Sequence, residues 1–208
     1  MDVARARWTK RTWTEAALRA IARGGVSSVT IDGLASELGA TRGSFYWHFK
    51  DRQALLEEAM IVWEELETDR VEQMMATIAD PVERMRFNFR IALGDVNEPI
   101  PNLEPAIWAH PEEPVVAAAI RRVSVRRIDI LTRGFADLGF PPVTARHQAI
   151  LTYATYLGWL QLRRSAADHV PEVNPDVPAG EAFVRHLMEQ LIDPAGFEMS
   201  ESVELDVR

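Results

Sequence analysis

Thr30-Ile-Asp-Gly-Leu-Ala-Ser-Glu-Leu-Gly-Ala-Thr-Arg-Gly-Ser-Phe-Tyr-Trp-His-Phe-Lys50 reads as two short helices joined by a tight turn. Thr30 is a suitable N-cap, Leu34, Ala35 and Leu38 form an inward stripe, and Gly39 supplies the left-handed stop that a short helix needs. Gly33 inside this helix is expected to weaken it by about 1 kcal/mol relative to Ala. Thr41 then caps a second helix, in which Phe45 and Phe49 stand one turn apart and face inward. At about 100° per residue, that pair puts Gly43 and Trp47 on the opposite face, with Ser44 and Tyr46 flanking them and Arg42 at the helix entry. A small residue, a hydroxyl, two aromatics and a guanidinium on an exposed half-helix suit a DNA major groove and its neighbouring phosphates. The pattern is a helix-turn-helix.

The stretch from Thr12 to about Ala59, densest at Gly43-Ser44-Phe45-Tyr46-Trp47-His48-Phe49-Lys50 and Ala54-Leu55-Leu56, resembles the DNA-binding end of the TetR family of bacterial transcriptional regulators. The resemblance implies that residues matching Arg42, Gly43, Ser44 and Tyr46 approach base edges. Those matching Trp47, His48 and Lys50, together with the cap Thr30, then lie toward the phosphate backbone, and Thr41 is counted among the DNA-binding residues. It also implies an all-α fold: a three-helix DNA-binding domain at 1–50, a helical effector-binding and dimerisation domain at 51–192, and a tail at 193–208.

The charge of the 208 residues is −8, which is unexpected for a DNA-binding chain until it is partitioned. Residues 1–50 hold eight Lys/Arg against four Asp/Glu, net +4, leaving fifteen against twenty-seven, net −12. A basic head on an acidic body turns the head toward a polyanion. With no cysteine, disulfides and thiolate metal sites are excluded, which is compatible with a cytoplasmic location. No apolar run reaches the length of a signal peptide or a membrane span, so no membrane partner is expected. Arg5, Arg7, Lys10 and Arg11 read either as an arm near the DNA backbone or as a solvated terminus.

Elsewhere the chain reads as helix. Thr12-x-x-Glu15 is a capping box opening a first helix that Gly24-Gly25 ends. Asp51 caps a long helix running to about Ala79, and another spans about Val82 to Asp95. Proline occurs five times between Pro99 and Pro114, around one short helix within Leu103 to Ala109. A helix from Val116 toward Gly139 follows, then one from Val143 to about Ala167, and a last one over 179–192.

The Val143 helix is apolar on two faces: Leu151, Ala154, Gly158 and Leu162 on one, Ile150, Tyr153, Leu157 and Leu160 on the other. Burying both requires a partner: one face can serve the subunit's own core, and Leu151, Ala154, Gly158 and Leu162, with Phe183, Leu187 and Leu191 of the last helix, are the expected homodimer interface. Arg127, inside the Val123–Leu131 apolar stripe, reads either as an anchor for a polar ligand group or as a salt-bridged or snorkelled side chain. Trp63, Phe87, Phe89, Trp108 and Tyr153 read either as the lining of an effector pocket or as plain core.

Enzymatic chemistry is not expected. Of the five histidines only His186, with Glu189, has ligand-like helical spacing, and a di-iron bundle needs two such pairs. No phosphate-binding glycine loop or nucleophile elbow occurs, so neither a metal nor another cofactor is foreseen. The expected function is a DNA-binding regulator, a repressor released from a palindromic operator by a small-molecule effector. The alternative is a helix-turn-helix protein that has no effector and answers to a protein partner or only shapes DNA.

Overall fold

The computed structural model describes residues 8–94, 103–173 and 177–192. Among them there is no strand: the chain is all-helical. Among the described residues ten α-helices follow in order: α1 (Lys10–Gly24), α2 (Ile31–Leu38), α3 (Arg42–Tyr46), α4 (Arg52–Glu64), α5 (Arg70–Ala76), α6 (Pro81–Leu93), α7 (Glu104–Trp108), α8 (Pro114–Asp137), α9 (Pro142–Ser165) and α10 (Pro178–Ile192). The expected ends at Arg5, Arg7 and the 193–208 tail lie outside the described residues, as do Pro99, Pro101 and Pro175.

Local chemistry explains most of the boundaries. Thr30, Thr41 and Asp51 cap α2, α3 and α4, accepting from the backbone N–H groups of Gly33, Ser44 and Ala54. Asp80 does the same for α6, where Pro81 takes the first helical position and has no N–H to leave unpaired. Two readings are corrected. The capping box of α1 is formed by Thr9 and Thr12, so Thr12 is its third helical residue and the helix starts earlier than Thr12-x-x-Glu15 suggests. The long helix after Asp51 is interrupted by a π-helical turn, Glu65–Asp69, across which the Arg70 N–H reaches back to the Glu65 carbonyl.

The described residues fall into two compact units. One takes those within Met1–Gln73 and Asn97–Arg126, the other those within Met74–Val96 and Arg127–Arg208. In the first unit, α4, α7 and the first part of α8 share a continuous core with α1–α3. Trp13, Leu18, Ile21, Phe45, Leu55, Leu56, Met60, Trp63 and Ile107 are all fully enclosed in it. Within the second unit, α10 packs on α6 and α6 on α9. There Gln148 donates to the Leu191 carbonyl at 2.9 Å and the Trp159 indole to the Leu93 carbonyl at 3.1 Å.

Candidate nucleic-acid interface

The second helix of the motif is held from behind by aromatics. Phe45 meets Trp13 of α1 edge-on with ring centroids 5.3 Å apart, and stacks on Phe49 at 5.6 Å. With those two rings buried, the opposite arc faces solvent: Arg42, Gly43, Tyr46, Trp47 and Lys50 are exposed, Ser44 and His48 half-buried. Tyr46 is 51% and Trp47 72% exposed, large apolar surface that a folded chain ordinarily covers. The helix is shorter than expected: it ends at Tyr46, and Trp47 to Lys50 form the turn that delivers Phe49 to the core.

Several side chains have defined local roles. The Ser44 hydroxyl donates to the Thr41 carbonyl at 2.7 Å, which leaves it an acceptor toward solvent. Gly33 gives its N–H to the Thr30 hydroxyl, and a Cβ added there would stand 2.7 Å from that oxygen. The Thr30 cap in this geometry therefore offsets the glycine's propensity cost. Of the basic residues read as a terminal arm, Lys10 pairs with Glu58 at 2.6 Å and Arg11 with Glu15 at 3.0 Å, so both belong to the surface of the helical head.

Three features had no signal in the spacing of the sequence. Arg42, first residue of α3, has its Nε 3.2 Å from the Asp32 carboxylate on α2. Arg52 donates to the Val29 and Val26 carbonyls at 2.7 and 2.9 Å and stands 3.6 Å from Glu113, joining the α1–α2 connection to the start of α8. His110, hydrogen-bonded to Glu112 at 3.1 Å, lies against Gly25, whose φ of +73° already demands glycine. The Glu112 carboxyl is held below the usual carboxylate range, by its own backbone N–H first and His110 second.

Further along, Arg122 pairs with Glu64, and Arg126 with Asp69 and Glu72. These hydrogen bonds raise the pKa of both guanidiniums above the ordinary value. Since the pairs advance together along both segments, the stretch from the end of α4 into α5 and the first part of α8 run side by side in the same sense.

The remaining candidates separate by burial. Trp63, Phe89 and Tyr153 are core, at 0, 4 and 6% exposure, whereas Phe87, Trp108 and Arg127 are half-buried. The Arg127 guanidinium lies 5.7 Å from the Tyr156 ring, the geometry of a cation held on an aromatic face. On α9 the stripe Leu151, Ala154, Gly158 and Leu162 is exposed along its whole length. Phe183 and Leu187 are half-buried, the former stacked on Trp159 at 4.9 Å, and Leu191 is enclosed within its own unit. His186 and Glu189 are both exposed, and among the described residues no group of three or more His, Asp or Glu stands together as a metal-binding set. Nor is any described helix long and apolar enough to cross a membrane.

Known proteins share this motif and this fold. The description "Bacterial regulatory proteins, tetR family" matches residues 14–59. The chain is 41% identical over 56 residues to the HTH-type transcriptional regulator AcrR of Shigella flexneri, covering 27% of this chain and 25% of that one. It is 30% identical over 86 residues to a probable acrEF/envCD operon repressor of Escherichia coli K12, 41% of this chain and 39% of that one. The match thus spans well under half the length of either relative. Across the fold, a putative transcriptional regulator from Saccharomonospora viridis in complex with choline superposes with a TM-score of 0.70 at 21% identity, covering 88% of this chain and 96% of the other. AibR in complex with isovaleryl coenzyme A and operator DNA gives 0.62 at 21% identity, covering 88% and 97%. Over residues 14–59, this chain is similar to the tetR family of bacterial regulatory proteins.

Proposed function

We propose that the protein is a homodimeric, sequence-specific DNA-binding transcriptional regulator, a repressor that leaves a palindromic operator when a small molecule binds its body. The observation that carries the reading is the exposed arc Arg42, Gly43, Tyr46 and Trp47, held rigid by Phe45 and Phe49 on the opposite side. In functional terms residues 1–50 are the reading head and 51–192 the effector-binding and dimerising body. One such helix reads few base pairs, so adequate discrimination needs two heads on one duplex and hence a two-fold operator. The uncovered stripe on α9 supports dimerisation: Leu151 and Leu162 are about half exposed, and Gly158 has open space around it.

An effector is supported by the neighbours bearing choline or isovaleryl coenzyme A, and by two donors in the first unit. The indole N–H groups of Trp63 and Trp108 are buried with no hydrogen-bond partner, a deficit that an acceptor on a bound molecule would relieve. Trp63 lies on α4, whose first residue, Arg52, grips the backbone leading into α2, so strain applied near Trp63 has a short mechanical route to the head. The experiment is selection of bound sequences from a randomised duplex library, followed by operator titration with each compound that raises the melting temperature. Enrichment of a two-fold site, released by at least one such compound, is expected. Enrichment with no compound ever changing operator affinity would put the effector-free alternative ahead, and no enrichment would remove the reading.

A further inference from the structure

The carboxylate of Asp32 stands on a face that is to approach a polyanion, where an unpaired negative charge is repelled. Its partner is Arg42, Nε to Oδ1 3.2 Å, and both side chains are largely exposed, at 70% and 61%. An ion pair this exposed contributes little to stability, so folding does not account for it. Its geometry is informative instead. The carboxylate lies nearest the Nε of the guanidinium, as an ion pair rather than a hydrogen bond. Arg42 opens α3 and Asp32 is the second residue of α2, so the two helices of the motif meet at this pair.

We propose that Asp32 is a positioning residue that makes Arg42 select guanine at one position of each half-site; this rests on the DNA-reading function proposed above. A free arginine carries large rotamer entropy and accepts phosphates or several base edges. With the carboxylate drawing the Nε side toward α2, the guanidinium is biased to turn its two Nη groups outward, a fork matching the O6 and N7 acceptors of guanine in the major groove. Ordering the fork before binding removes part of the entropic cost of that contact. The negative charge beside it also penalises poses in which Arg42 neutralises a phosphate and Asp32 is left facing the backbone.

The test starts from the duplex that the unaltered protein selects from a randomised library. Unaltered protein, Asp32→Ala, Asp32→Asn and Arg42→Ala are titrated against that duplex, its single-base variants and a random duplex at several salt concentrations. Arg42→Ala is expected to flatten the preference at one G·C pair per half-site. Asp32→Ala should flatten preference at the same pair by roughly three- to tenfold, a fraction of what a bidentate contact supplies, while random DNA binds more tightly. Asp32→Asn, which keeps an acceptor, should recover much of the guanine preference. The inference is overturned if Asp32→Ala tightens every duplex by one common factor, or if the base governed by Arg42 is not guanine. A loss of helix-terminal stability alone would weaken all duplexes and move no base preference. If the unaltered protein selects no sequence, the DNA-reading function itself fails.

Discussion

Arg42, Tyr46 and Lys50 share one surface but are expected to contribute differently. Arg42 and Tyr46 flank the exposed arc of α3, whereas Lys50 sits beyond the helix in the turn after Phe49. Arg42→Ala or Tyr46→Ala should weaken the specific site by about 1 to 3 kcal/mol and relax its sequence preference. Lys50→Ala should weaken all sequences alike and lower the slope of log affinity against log salt by about one unit. Titration at several salt concentrations separates the two; equal losses on specific and random DNA for all three variants would contradict the division, provided circular dichroism shows an unchanged fold. These residues were legible in the sequence because caps, glycine stops and the Phe45–Phe49 spacing are local signals. The partner of Arg42 was not, since Asp32 lies on another helix and no spacing rule relates the two.

At the scale of elements, the head is fastened to its supports by contacts between segments distant in sequence. Arg52 satisfies two carbonyls at the α1–α2 connection, so Arg52→Ala should destabilise the protein by about 1 to 3 kcal/mol, read from urea unfolding. A change within a few tenths of a kcal/mol would mean that water replaces the guanidinium without loss. Gly25→Ala forces an L side chain into a left-handed backbone, at about 1 to 2 kcal/mol, and aims its Cβ to within 2.5 Å of His110 Nε2. Removing the imidazole as well should recover part of the loss, so the double variant Gly25→Ala/His110→Ala is expected to be less destabilised than the sum of the singles. Strict additivity would show that the ring is not the obstacle. The helices themselves were readable from proline, capping residues and apolar periodicity. The π turn at Glu65–Asp69 was not, because widening one turn leaves no local compositional mark.

For the molecule as a whole, the predictions concern assembly and linkage. Gly158→Glu places a charge in the middle of the exposed α9 stripe and should give monomers that bind the operator poorly, measured by light scattering and titration. An unaltered protein that is monomeric at micromolar concentration and still operator-specific would end the dimer proposal. If a compound weakens operator binding by some factor, thermodynamic linkage requires operator DNA to weaken binding of that compound by the same factor. Calorimetry with and without the duplex measures it, and unequal factors would place the compound's effect outside a two-site equilibrium. Arg127→Met tests the other open reading. Unchanged affinity for acidic compounds would assign Arg127 to its place against Tyr156 alone.

The all-helical class, the helix-turn-helix and its outward arc were determined by the sequence alone, because each rests on interactions within a few residues: caps, left-handed glycines and turns of helix that set which side chain faces which way. Tertiary structure decided what those elements touch. Leu191 and Leu151 both read as interface leucines, yet one is enclosed in its own unit and the other half exposed. Lys10 and Arg11 look like a free basic arm, yet they pair with Glu58 and Glu15. Periodicity states that a face is apolar or charged, but burial and pairing depend on which distant segment arrives against it, and one chain's pattern does not encode that choice locally.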